Sequence, residues 1–582
     1  MLATTFTLVL ASVLSCASAS GNQTIELFLL PHTHADVGWL ETPENLARVN
    51  VSRILDGITG NLANDTKKRR RFVWDEMYFL EWWWENRATP QQQATFHSLV
   101  ADGRIEFVDN GWSQHDQGCT TYDSMINNWL AGHLWIKERF GAAARPRVGW
   151  SLDPFGLSTS QAVMQAMMGF DAWFFTRVSG FVVNDRKQDK SLDFIWRASS
   201  SLPNKPTETF AHIYESYYCM PLPTYAFEWG SAKGAKVPNQ KNILELSLGL
   251  ASIAKQRSKW YRSPNVLIPW GCDYQFQNAD LVYESTDWLI DTINAHPEWG
   301  VHVQYATASE YLQAINKAGV PLPVKERGTG HLDSKGEGDT FFPFNTWSGY
   351  FTSRPKLKQL SQNAHGPLHA AEGLFALRRP QDTATQQKLW DLLETARRNA
   401  GVVQHHDAIT GTPCSSQEGC SGVDQVMGAH NVLQVYEDMV ITTAANSNLV
   451  IAEILAEQTG LDLTPKIEEF GNTLMDQKPV TIVVYNSLAS SRTDMISLQV
   501  PICNVGIHDA NGSAVLSQVT AQFSMNDGVA PFCTPPPFPL PVPARPARLS
   551  PFFCHTGADH GQNSYHCAWF NTYCWACCYR RL

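Results

Sequence analysis

Two imidazoles, a carboxylate and an indole stand close together near the start of the chain, in His32-Thr33-His34-Ala35-Asp36-Val37-Gly38-Trp39. They follow the apolar run Ile25 to Leu30, so a strand delivers them at its carboxyl end, where α/β sheets and barrels carry their chemistry. In extended chain alternate residues point the same way, and His34 and Asp36 can reach one divalent ion. A few ligands do not make a metal site, and the competing reading is a polar loop with one satisfied histidine. Two further loops are of the same kind. Asp153-Pro154-Phe155-Gly156 places a carboxylate in a tight turn after the apolar run 147–152, and Gln404-His405-His406-Asp407-Ala408-Ile409-Thr410-Gly411-Thr412 lies beside a helical region. Together the three loops can supply His34, Asp36, Asp153 and His406 to one metal, a nitrogen and oxygen set that suits catalytic zinc. A fourth loop, Trp270 to Phe276, sets Asp273 beyond another apolar strand. If Asp273 faces Asp153 across a pocket, the pair has the layout of a retaining glycosidase; taken alone, Asp273 reads as a turn or capping residue.

The elements that position these loops alternate. Candidate strands are 25–30, 71–74, 104–108, 147–152, 172–176, 266–269 and 301–305, with helical patterns at 161–168 and 309–315. Such alternation predicts a mainly parallel sheet or an incomplete barrel. From about 355 to 457 the pattern is helical only, with Leu389, Leu392, Leu393 and Ala396 on one face. From Val480 it turns to β, with 481–485 and 495–500 as strands. The expected fold is therefore a barrel-like α/β domain (21–340), a three-helix bundle carrying part of the site (341–460) and the start of a β-sandwich domain (475–525). Residues 526–582 hold nine prolines between Pro531 and Pro551 and then a Cys-rich stretch, which predicts a tail without regular structure. Cys574 and Cys577 in that tail have no second matching pair and are read as disulfide or unfolded chain rather than a metal site.

A net charge of -10 argues against nucleic acid or an anionic membrane as partner, and 20 tryptophans suit an aromatic core or stacking on sugar rings. Residues 1–20 read as a cleaved secretory signal, and no other segment looks long and apolar enough to span a membrane. Sequons at Asn22, Asn50, Asn64 and Asn511 agree with a glycosylated protein of an oxidising compartment. Of thirteen cysteines, Cys119, Cys219 and Cys272 are scattered, while Cys414 and Cys420 could close a local disulfide.

These loops resemble the zinc-dependent α-mannosidases of glycoside hydrolase family 38, the lysosomal and Golgi class. The matching pieces are His32 to Trp39, Asp153 to Gly156, Gly271-Cys272-Asp273-Tyr274, Trp347-Ser348-Gly349-Tyr350-Phe351-Thr352-Ser353-Arg354-Pro355 and Gln404 to Thr412, in family order from about 25 to 525. The resemblance implies that His34, Asp36, Asp153 and His406 bind one Zn2+, that Asp153 is also the nucleophile, and that Asp273 is the acid/base. It implies that Trp39, Phe155, Arg177 and Trp347 line a mannose pocket and that Asp407 holds sugar hydroxyls. Departures are Ala35 in place of a polar residue, Leu157 in place of histidine and Gln117 in place of an acid. Family members continue through β domains, whereas this chain leaves the pattern soon after Val519, as a truncated or divergent carboxyl end would.

The resulting expectation is a retaining, zinc-dependent exo-α-mannosidase acting on N-glycans or free oligosaccharides in a lysosome or vacuole, or secreted, with homo-oligomer formation left open. Two other readings stand beside it. One is an impaired remnant that binds metal and sugar without turnover; the other is a different zinc hydrolase, such as a polysaccharide deacetylase, on a related barrel.

Overall fold

The computed structural model describes residues 24–199, 202, 207–326, 347–413, 432–460, 480–487 and 505–515, with two-residue strands also at 493–494, 554–555 and 578–579. The signal segment, Cys414 and Cys420, most of the expected β domain and most of the tail lie outside these residues. The chain divides into two compact units, Met1–Lys358 with Ala400–Asp438 and Gln359–Asn399 with Met439–Leu582.

In the first unit the strands are β1 (Ile25–Pro31), β2 (Phe72–Trp74), β3 (Ile105–Phe107), β4 (Val148–Ser151), β5 (Ala172–Phe175), β6 (Asp193–Arg197), β7 (Glu208–Ile213), β8 (Asn265–Trp270), β9 (Val301–Tyr305) and β10 (Val324–Glu326). β1 lies parallel between β8 and β9, β2 pairs parallel with β3, and a five-stranded sheet runs β10-β6-β7-β5-β4. A bridge from His32 to Val73 links β1 to β2, and the Asp109 N–H donates to the Val148 carbonyl, linking β3 to β4. Strands covered on both faces read as continuous apolar runs, as Leu-Phe-Leu-Leu does in β1. Their side chains meet in one core, in which Phe28, Leu30, Trp150, Leu152, Phe174 and Leu267 pack with Tyr311 of the helix Ala308–Ala318. That helix starts with a capping box between Thr307 and Glu310, and the helix Thr159–Met168 starts on Ser158, whose side chain accepts from the Gln161 N–H.

All seven strands expected before residue 320 are present within one or two residues of their expected ends. β6, β7 and β10 were not expected. β6 and β7 run antiparallel, and their sequences carry Asp193 and His212, polar groups that obscure an apolar run but meet each other at 2.7 Å. Helices follow at Pro355–Leu377, Thr383–Val403 and Val432–Thr459. Leu389, Leu393 and Ala396 are fully buried on the middle one. Arg397 pairs with Glu372 at 2.5 Å, and the Thr443 hydroxyl donates to the Ala396 carbonyl at 3.2 Å, so the middle helix touches both others. Against the expectation that nothing after the signal is long and apolar enough to span a membrane, Val432–Thr459 meets that description by length and composition. Glu453 near its end is ion-paired with Lys388.

Candidate active site

The carboxyl ends of the parallel strands converge on one place. His32 and His34 follow β1, Asp75 and Glu76 follow β2, Asp153 follows β4, Arg177 follows β5, Tyr217 and Tyr218 follow β7, and Cys272 and Asp273 follow β8. Two glycines let the loops approach. A Cβ on Gly271 would lie 1.9 Å from the His32 carbonyl oxygen; Gly38 turns at φ +88, where a Cβ would strike the Tyr436 hydroxyl that donates to the Val37 carbonyl. Asp109, Asn110, Arg177, Tyr274 and Phe276 adopt left-handed backbone in these same loops, which costs about 1 kcal/mol or more each and is tolerated where geometry is dictated by a site.

His34, Asp36, Asp153 and His406 form a group whose ligand atoms all lie within 4.8 Å of one another, every residue buried. His34 Nε2 is 2.9 Å from Asp36 Oδ1 and 3.7 Å from Asp153 Oδ2, and His406 Nε2 is 3.2 and 3.4 Å from the same two oxygens. Ligand atoms around a tetrahedral ion with bonds of about 2.0–2.1 Å stand roughly 3.3 Å apart, and the four nitrogen–oxygen distances, 2.9 to 3.7 Å, bracket that value. His406 donates from Nδ1 to the Gln114 carbonyl at 2.8 Å, which leaves Nε2 as the lone pair, and that buried Nε2 has no hydrogen-bond partner. Two carboxylates and two neutral imidazoles carry two negative charges, the complement of a divalent cation. The group fits such an ion.

The protein groups alone show the same demand for positive charge. Burial pushes the His406 imidazole down, but Asp153 and Asp36 outweigh it and lift it to about 10; His34 is likewise raised, against burial, by Asp36, Glu76 and Asp153. Burial acts to raise Asp36 and Asp153, yet His34 holds Asp36 well below its ordinary value, and His406, His34 and Arg177 hold Asp153 down. A second combination, Asp36, His405, His406 and Asp407, also clusters. In it burial and the neighbouring His406 depress His405 to about 4, and burial and Asp36 raise Asp407 to about 8.

The two oxygens of Asp153 face different neighbours. Oδ2 faces the imidazoles, while Oδ1 accepts from Arg177 Nε at 2.6 Å and lies 3.4 Å from the Tyr217 hydroxyl oxygen. Tyr217 donates to the Tyr218 hydroxyl at 2.8 Å, and Tyr218 donates to Asp273 Oδ1 at 2.7 Å. Burial raises Asp273, and the nearby charges of Asp36 and Asp153 add to the rise against His34 and Tyr218. The guanidinium of Arg177 lies over Trp347 at 4.9 Å, Tyr217 at 5.2 Å and Phe155 at 5.6 Å, and Phe155 meets Trp347 edge-on at 5.2 Å. Trp39 is half-buried and Trp347 is on the surface.

A family model for the glycosyl hydrolases family 38 N-terminal domain matches residues 24–346, more than half of the chain. The chain belongs to glycosyl hydrolases family 38. The model of the alpha mannosidase middle domain matches residues 345–446 of this family 38 chain. It is 32% identical to the epididymis-specific alpha-mannosidase of Homo sapiens, covering 85% of this chain and 48% of that one. It is 30% identical to the lysosomal alpha-mannosidase of Dictyostelium discoideum, covering 85% and 49%. The chain spans about half the length of the curated relatives it matches. An alpha-mannosidase from Enterococcus faecalis V583 superposes with a TM-score of 0.55 at 15% identity over 86% of this chain and 53% of that chain, which shows the fold.

All ten expected site residues lie in the first unit. His34, Asp36, Asp153 and His406 come together; Asp273 and Arg177 connect to Asp153; Phe155 and Trp347 flank Arg177; and Asp407 lies 3.8 Å from His406. His32 stands outside the cluster, bonded through Nε2 to the Tyr218 carbonyl at 2.8 Å and driven by burial to about 3. Sequence reasoning missed Tyr217 and Tyr218, Glu76 at 3.3 Å from His34 Nδ1, and the disulfide Cys219–Cys272. The signal for the last was available: Cys272 directly precedes Asp273, and Cys219 directly follows a tyrosine pair.

Proposed function

We propose that this chain is a retaining exo-α-mannosidase that uses Zn2+ to hydrolyse terminal α-mannosyl residues of N-glycans or free oligosaccharides. The observation that carries this reading is the opposed state of two carboxyls in one site: Asp153 held down and Asp273 raised, joined by two tyrosine hydroxyls. Two titratable groups pushed apart in this way divide into base or nucleophile and acid. Zinc held by His34, Asp36, Asp153 and His406 supplies Lewis-acid contact to sugar hydroxyls when bound.

The side chains of the protein do the rest. Asp153 Oδ1 attacks the anomeric carbon while the protonated Asp273 gives its proton to the leaving oxygen, forming a covalent glycosyl-aspartate. Asp273, now a carboxylate, takes a proton from water, whose oxygen attacks the same carbon and frees Asp153, so configuration is retained. Arg177 steadies the nucleophile, and Phe155, Trp347 and Trp39 offer the flat apolar surface that sugar rings stack on. Asp407 accepts from sugar hydroxyls.

The test is release of phenol from an aryl α-mannoside by the full purified chain, before and after chelation and with zinc restored. Loss on chelation and recovery with zinc is the expected result. No release from folded, zinc-loaded protein would replace this reading with that of a binding remnant.

We further infer residues 1–20 to be a cleaved signal, 21–340 the catalytic domain, 341–460 a three-helix bundle, 475–525 part of a β-sandwich and 526–582 a tail, in a protein of the lysosome, vacuole or cell exterior. The Cys219–Cys272 bridge supports an oxidising compartment, and Asn64 and Asn511 are exposed for glycosylation. An amino terminus still at Met1 in the secreted chain would refute the signal assignment.

A further inference from the structure

Gln114 belongs neither to the ligand set nor to the carboxyl pair, yet it touches both segments that bring Asp153 and His406. It is 1% exposed. Its side-chain oxygen accepts from the backbone N–H groups of Leu152 at 3.1 Å and Asp153 at 3.0 Å. Its side-chain nitrogen donates to Asp75 Oδ2 at 2.8 Å. Its main-chain carbonyl accepts twice from His406, from the backbone N–H at 3.2 Å and from the ring Nδ1 at 2.8 Å.

We propose that Gln114 is a positioning residue that fixes Asp153 relative to His406 and so sets the geometry in which the chain grips its metal. The inference rests on the reading that the four side chains bind a divalent cation. The amide oxygen has two lone pairs, and both are spent on consecutive N–H groups where β4 ends, so the backbone direction that aims the Asp153 side chain is tied to Gln114. The bond to Asp75 decides which end of the amide faces β4. The carbonyl of the same residue sets the tautomer and tilt of the His406 ring. Two ligands from distant parts of the sequence are thereby referred to one rigid group, and groups in that position tune metal affinity by about 10–100-fold.

The test is zinc affinity by chelator competition, with thermal midpoints of chelated and zinc-loaded protein, on the full chain. Gln114→Met keeps the size and removes the acceptor; it is expected to weaken zinc by about tenfold or more and to shrink the rise in midpoint that zinc confers. Gln114→Glu combined with Asp75→Asn keeps the acceptor oxygen, reverses the donor in the bond to residue 75 and leaves the net charge unchanged; it is expected to stay within about threefold of the parent. A merely structural residue would lower both midpoints equally and leave affinity alone, and that result in Gln114→Met overturns the proposal. Should Gln114→Met fail to fold, loss of about tenfold in the Gln114→Glu/Asp75→Asn double variant, with its acceptor and its bond to residue 75 retained, overturns it as well. Asp153→Ala is measured alongside. Parent-like affinity there defeats the ligand reading itself, whereas weak binding in Asp153→Ala with normal binding in Gln114→Met defeats only the positioning role.

Discussion

Two buried histidine–aspartate groups lie in the first unit, and they have different fates. In the sheet, His212 Nδ1 meets Asp193 at 2.7 Å, Asp193 also accepts from the Tyr311 hydroxyl at 2.9 Å, and the imidazole stacks on Tyr261. One imidazole meets one carboxylate, side by side on adjacent strands. At the carboxyl ends of β1 and β4, His34 and His406 face two carboxylates whose oxygens they share. The first arrangement ties neighbouring strands together. The second gathers segments that are far apart in sequence around a shared centre of negative charge, which only a cation or extra protons can compensate. Burial alone therefore does not mark a functional histidine. Geometry around it does.

The largest separation between the two groups is expected from Asp153→Asn, which removes nucleophile and ligand together: turnover of an aryl mannoside should fall by a factor on the order of 10³ or more, with weakened zinc retention by metal analysis. Near-parent turnover would dismiss the assignment. Asp273→Asn should slow alkyl mannosides by roughly 10²–10⁴-fold while sparing dinitrophenyl mannoside, whose leaving group needs little protonation, and equal losses would exclude the acid role. His212→Phe should do the reverse of both. It strands the Asp193 charge and should cost about 3–5 kcal/mol in denaturant unfolding, while zinc bound per folded chain stays unchanged. Breaking the Cys219–Cys272 bridge with serines should cost about 2–4 kcal/mol in the same assay; unchanged stability would mean that the loop is held by its hydrogen bonds alone.

The smallest effect is one of pH. In chelated protein, His406 is raised from its ordinary 6.5 to about 10, so the stability it contributes is fully present below pH 6.5 and is lost as pH rises through about 10. Asp153 is lowered, so its contribution is present above its ordinary 3.8 and is lost as pH falls through its depressed value. The thermal midpoint of chelated protein should therefore decline from neutrality toward pH 10, and the decline should flatten with zinc, which takes the place of the protons. A midpoint indifferent to pH over that range would show that the imidazoles are not charge-coupled to the carboxylates.

Three of the four clustered side chains were legible in the sequence because His34, Asp36 and Asp153 sit in compact loops directly after apolar strands, and alternation alone places His34 with Asp36; His406 was legible from the His-His-Asp run that follows the helix Thr383–Val403. Asp153 and Asp273 were legible for the same reason. The supports were not. Tyr217, Tyr218 and Gln114 act through hydroxyls and amides whose partners lie on other strands, and such contacts leave no local periodicity. β6 and β7 escaped because the Asp193–His212 pair puts charged letters where an apolar run was sought, and only pairing across the sheet explains their burial.

The ligand loops are spread over most of the chain, with His34 near its beginning and His406 far along it. At synthesis rates of about 5–20 residues per second, roughly 20–75 s pass between the emergence of the first imidazole and the last. Through that interval Asp36 and Asp153 must wait without their full complement of partners, and the core beneath them can settle before the centre above it closes. Completion of this cluster is thus a late event in the life of each new molecule, timed by the arrival of the segment around residue 406.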